Sequence, residues 1–183
     1  MPPSVTRLFL AASSVACLLA QNVPNYSADG QLTLPSDYRE WIFLSSGLGM
    51  TYALEDNRPP AFTNVFVKPA SYRSFLSTGK WPDKTVLILE IRASTSKGSI
   101  NRGGSYQSDL VAVEGEVKDT SRFLGNGWAF FAFGTSKSGK ILPHTEDCYG
   151  CHLEHGAVDN TFVQFYPVLL DIAKQRGTLI AGR

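Results

Sequence analysis

Cysteine is scarce in this chain: three residues in 183, at positions 17, 148 and 151. A scaffold stapled by several disulfides is thereby excluded. Methionine is scarcer, with only Met1 and Met50. Large charge of one sign is missing as well: 17 basic and 16 acidic residues leave a net charge of +1, without a run of like charges. No strong field is present to recruit nucleic acid or an anionic membrane surface, and neither is an expected partner. The apolar stretch Leu8–Ala20 falls short of the ~20 residues needed to cross a bilayer, and no later stretch is longer. What is present, 43% hydrophobic and 18% charged residues, describes one globular domain with a real core.

The start of the chain stands apart. Arg7 precedes Leu8–Ala20, an apolar run with small residues throughout, the pattern of a secretory signal peptide. Residues 1–20 are expected to be a signal peptide cleaved after Ala20, with lipoprotein processing at Cys17 as the alternative. The mature chain is then periplasmic or otherwise exported, residues 21–33 form a flexible N-terminal segment, and residues 34–183 form the functional domain. In an oxidising compartment Cys148 and Cys151 would ordinarily be read as one disulfide. Cysteines three apart close so small a loop that little entropy is removed from the unfolded chain, so a chemical role is expected instead.

That role is indicated by Cys148-Tyr149-Gly150-Cys151-His152. Two thiols on one helical turn can add to the two vinyl groups on one edge of a porphyrin, and the adjacent His152 then ligates the iron. One covalent haem c is the expected cofactor, bound by Cys148, Cys151 and His152, with His152 the metal ligand. The alternatives are a thioredoxin-like redox pair, which needs no histidine, and a zinc knuckle built from Cys148, Cys151, His152 and His155. Zinc sites usually draw on two separated ligand pairs, whereas these four crowd into one short stretch. His155 lies on a neighbouring helix face and is expected to face solvent or to support the site from behind. Thr145 or Asp147 is placed to cap the helix.

Along the rest of the chain, Leu34–Trp41 reads as a short helix, the apolar Ile42–Leu44 as either a strand or a continuation of that helix, Thr63–Val67 as a strand, and Pro69–Leu76 as a helix with proline in its first turn and Gly79 as its stop. Thr85–Arg92, Leu110–Val117 and Trp128–Gly134 read as longer strands, with a loop from Ala93 to Gln107. The first and third are apolar on both faces, so the sheet is expected to be covered on two sides. A final helix is expected from Pro167 to about Gln175. An ordinary small cytochrome c is nearly all helix, with its haem motif early and a methionine ligand later. Here strands precede the motif and no methionine follows it.

Several stretches taken together resemble the cytochrome P460 family, which includes the β-sheet cytochromes c′ (cytochrome c′-beta). They are Leu34–Trp41, Asn64–Tyr72, Thr78–Asp83, Val117–Asp119, Gly127–Phe131, and Cys148–His152 with Asp159, Phe162 and Phe165–Pro167. They run in family order over nearly the whole expected mature chain. The resemblance implies an α+β fold, a mostly antiparallel β-sheet flanked by helices, with the c-type haem packed against the sheet. It implies a haem held by Cys148 and Cys151 and ligated by His152, with the opposite iron face open or water-bound. Members are typically periplasmic and dimeric, so a homodimer is an expected assembly.

One position departs from the family. Members that oxidise hydroxylamine cross-link their haem to a lysine, and aligning Thr85–Glu90 with their strand puts Leu89 at that place. Leucine has no amine to bond, while Lys68, Lys80 and Lys84 are out of register and read as surface residues. The expected function is therefore that of cytochrome c′-beta, binding nitric oxide or a related small nitrogen species at five-coordinate iron. An apolar distal wall is expected, drawn from Leu89, Phe66 and Phe131, with Phe62 and Phe133 as further candidates; Arg58 and Arg92 are candidate basic groups. Two alternatives stand beside it: an electron carrier whose sixth ligand is Met50, His144 or a lysine, and a hydroxylamine-oxidising enzyme, which needs distal acid–base groups. The redox partner is not legible.

Overall fold

The computed structural model describes residues 23–52 and 58–183. The expected signal peptide and Cys17 lie outside the described residues. Among the described residues seven strands are formed: β1 Leu32–Thr33, β2 Ile42–Leu48, β3 Ala61–Val67, β4 Val86–Thr95, β5 Tyr106–Lys118, β6 Trp128–Gly134 and β7 Ser138–Ile141. Three α-helices join them: α1 Pro69–Thr78 between β3 and β4, then α2 Asp147–His155 and α3 Pro167–Gln175 after β7. The strands make one sheet in the order β1-β7-β6-β5-β4-β3-β2, every pairing antiparallel. The α+β architecture read from the sequence is the one observed.

Strand alternation sorts the apolar residues into two cores, one on each face of the sheet. On the first face Leu44, Val67, Leu87 and Trp128 pack with Phe75 of α1, Trp81, and Leu169 and Ala173 of α3. On the second face Val86, Ile88, Val117, Phe131 and Phe133 pack beneath Leu32, Tyr38 and Trp41. Both faces are covered, which accounts for strands that are apolar on both sides. α1 stops where expected: Gly79 takes φ 70° and returns its N–H to the Phe75 carbonyl.

Three local expectations need correction. Leu34–Trp41 yields only a 3-10 turn, Tyr38–Glu40, because the chain extends at Trp41 to bury that ring on the second face and enter β2. The stretch read as flexible up to residue 33 contributes β1, whose Leu32 is 1% exposed and whose backbone pairs with Ser138 and Gly139 of β7. The loop from Ala93 to Gln107 is shorter than read, since Ser94 and Thr95 pair with Gln107 and Tyr106. Polar residues on both sides of that ladder leave no apolar alternation to read.

Glu90 is buried on the second face and accepts hydrogen bonds from Tyr38, from Arg39 Nε at 2.7 Å and from Arg92 Nε at 2.5 Å. Burial raises its pKa, but the three donors outweigh burial and hold the carboxyl below its usual value. A carboxyl depressed in the folded state contributes stability above its unfolded pKa of about 4.3 and loses it as pH falls through the folded value. We expect the urea midpoint to decline below about pH 4.3. Glu90→Gln, scanned over the same range, should weaken that decline while costing about 1–3 kcal/mol at pH 7.

Candidate haem site

Helix α2 lies against β6. The Tyr149 ring meets Phe130 edge-on at 4.8 Å, and its hydroxyl donates to the Leu142 carbonyl at 3.1 Å. This anchor turns Cys148, Cys151 and His152 toward the first face of the sheet, where all three line one chamber of about 400 Å³, within the ~300–1,000 Å³ range of cofactor sites.

The helix ends at Gly156, and the chain folds back so closely that a Cβ there would lie 2.5 Å from the His152 carbonyl oxygen and 2.6 Å from the carbonyl carbon of Asn160. The returning turn is held from two sides: Trp81 Nε1 donates to Thr161 Oγ1 at 2.8 Å, and Lys118 pairs with Asp159 at 2.5 Å. The turn places the Asn160 carbonyl 2.8 Å from His152 Nδ1. A carbonyl oxygen can only accept, so Nδ1 carries a proton, and in the neutral ring Nε2 keeps its lone pair. The imidazole is set between Phe130 at 4.5 Å and Phe162 at 4.4 Å. Burial pulls its pKa down, yet the Glu116 carboxylate and the Asn160 carbonyl outweigh burial and leave it raised.

Both thiols are half-buried and unpaired, and burial pushes their pKa values up. A redox-active pair needs a lowered thiol pKa, so the geometry argues against that alternative. Zinc fares no better: among the described residues no group of three or more His, Cys, Asp and Glu is gathered to hold a metal ion. Haem iron needs only one such ligand from the protein on this side, and two neutral thiols beside a lone-pair nitrogen fit it.

The floor of the chamber is Leu87 and Leu89 of β4 with Glu114 and Glu116 of β5, opposed in register as Leu89 with Glu114 and Leu87 with Glu116. Ser45 and Gly47 of β2 and Thr63 and Val65 of β3 line its far side. At about 4.8 Å per strand, that side stands roughly 10–14 Å from β5.

Leu89 thus faces the chamber as expected, but Phe66 and Phe131 do not. Phe66 packs on Tyr38 and Phe43, and Phe131 on Tyr26 and Phe123, both in the second-face core. Phe133 joins them there, and Phe62 shares the side of Phe66 by alternation. The cause is parity: a residue one place along a strand points to the opposite face. The aromatic residues that do line the chamber are Phe130, Phe162 and Phe165, with Tyr52 and Tyr166. Arg92 is committed to Glu90 and Arg58 is exposed. His144 rests on the Tyr149 ring at 4.1 Å, and His155 is exposed. Lys84 pairs with Asp119 and Lys68 sits over the Trp41 ring, so neither supplies an amine in the place of Leu89. Met50 does line the chamber.

Glu114 and Glu116 were missed as site residues, although Glu114-Gly115-Glu116 carried the signal. Their spacing of two puts both carboxylates on one face, but which face it was depended on the fold. Glu114 lines the chamber, and burial of its carboxyl against the protein raises its pKa, an effect that a protonated His152 opposes.

A histidine aimed from a thiol-bearing helix into a chamber floored by two leucines and two glutamates of an antiparallel sheet defines a class, the β-sheet cytochromes. The family model for Cytochrome P460 matches residues 35–163, and the chain belongs to the cytochrome P460 family. It is accordingly a haem cytochrome. Comparison with curated proteins finds no match.

Proposed function

We propose that this protein is an exported mono-haem cytochrome c of the c′-beta type, with haem attached through Cys148 and Cys151 and five-coordinate iron that binds nitric oxide or a related small nitrogen species. The observation that carries this is the Nδ1–H of His152 held by the Asn160 carbonyl, which presents the free Nε2 to a chamber whose far side is Ser45, Gly47, Thr63 and Val65. When bound, the haem supplies reversible binding of diatomic gases and one-electron chemistry. The protein's part is to fix the imidazole between Phe130 and Phe162 and to exclude bulk water with Leu87, Leu89 and Val65. None of Ser45, Gly47, Thr63 and Val65 is an effective iron ligand, which favours an open position.

Leu89 supports c′-beta chemistry over hydroxylamine oxidation, because the floor offers a hydrocarbon where a cross-linking amine is needed. The test is an optical titration of the reduced and oxidised holoprotein with nitric oxide, followed by turnover with hydroxylamine and an electron acceptor. One equivalent of nitric oxide should bind, and steady hydroxylamine turnover should be absent. Sustained turnover without nitric oxide binding would overturn the proposal.

Met50 favours a second function, electron transfer by six-coordinate iron. It lines the chamber, and its Sδ lies so near the β2 backbone that a Cβ on Gly47 would approach it to 2.4 Å. A reduced spectrum that is low-spin and indifferent to gas would select it. Export to the periplasm, lipid anchoring at Cys17 and pairing into a homodimer remain proposals that fractionation and sedimentation measure.

A further inference from the structure

Glu116 is a costly residue to keep in the chamber. It is 8% exposed, and its Oε1 is buried without a hydrogen-bond partner. A buried polar atom left unpaired costs about 1–3 kcal/mol, and apolar neighbours such as Leu87 do nothing to relieve it. His152 Nδ1 lies 3.4 Å from Oε1. That contact is electrostatic rather than a full hydrogen bond, because the single Nδ1 proton is directed to the Asn160 carbonyl at 2.8 Å.

We propose that Glu116 is a positioning residue that acts on the iron through His152: its carboxylate beside the Nδ1–H makes the imidazole a stronger donor and biases the site toward the ferric state. Carboxylate, histidine and metal in line is an arrangement that orients a ligand and raises its basicity. An anion fixed close to the ligand also stabilises the oxidation state with the extra positive charge, and does so most in a water-poor site. The register of β5 sets up the division of labour. Glu116 touches the imidazole, while Glu114, two residues away on the same face, lies opposite Leu89 and has the same functional group without that contact.

This inference rests on haem ligation by His152, and the two fail differently: a wild-type chain without attached haem sinks the ligation, not the tuning. The experiment uses haem-loaded Glu116→Gln and Glu114→Gln proteins, reading the midpoint potential and the ferrous iron–histidine stretching vibration. Glu116→Gln should raise the potential and lower the vibrational frequency. Glu114→Gln should raise the potential by long-range charge alone and leave the vibration in place. Should Glu116→Gln not mature with haem, Glu116→Asp takes its place; its carboxylate is withdrawn by one methylene, and its potential should lie above wild type. A haem-loaded Glu116→Gln with both readouts at wild-type values would overturn the proposal, as would an unchanged potential in Glu116→Asp.

Discussion

Serine at both positions 148 and 151 should convert haem that survives acid–acetone treatment into haem that is extracted completely. The substitution removes only the sulfurs, which are the nucleophiles that add to the porphyrin vinyls; a serine hydroxyl is far less acidic and nucleophilic and forms no thioether. Both cysteines are half-buried on a short helix, so the fold should tolerate the smaller side chains. Haem would then be held by His152 and the chamber alone, and thermal stability should depend on haem concentration, as expected for a ligand that binds only the folded state. Each single serine variant should keep one thioether and resist extraction. Double-variant protein whose haem remains on the chain through denaturing electrophoresis would show attachment elsewhere.

His152→Ala should produce the second large change, with attachment preserved and the ligand field lost. The two thioethers should keep the haem on the chain while the iron loses its protein ligand and the spectrum departs from wild type. The Asn160 carbonyl loses its donor and Phe130 and Phe162 lose the ring between them, for a cost of about 1–3 kcal/mol from the unpaired acceptor alone. Added imidazole should restore much of the spectrum. A His152→Ala spectrum identical to wild type would mean that another residue holds the iron, and Met50 would be the one to test.

Much of this site was legible in five residues. The spacing of Cys148, Cys151 and His152 pointed to haem, and the family resemblance, not local periodicity, drew attention to Leu89, which lies on the chamber floor. Phe66 and Phe131 were assigned to the chamber wrongly: in strands that are apolar on both faces, hydrophobicity gives no sign of which parity faces the cofactor. The two helix-bearing ends of the sheet decide that, through contacts such as Tyr149 on Phe130, far apart from β3 in sequence. Asn160 was invisible for a different reason. It acts through its backbone carbonyl, which every residue has, and only the turn after Gly156 gives it a role. β1 and β7 escaped because they are short and partly polar, while the burial of Trp41 cut the expected helix to a single turn and settled Ile42–Leu44 as the start of β2.

The most direct measurement is the absorption spectrum of the purified, dithionite-reduced protein, produced with a working haem-maturation system, before and after carbon monoxide. With His152 on one side of the iron and the other side open, the reduced spectrum is high-spin and changes on gas addition. A colourless protein, or a low-spin spectrum that carbon monoxide leaves unmoved, would contradict the account.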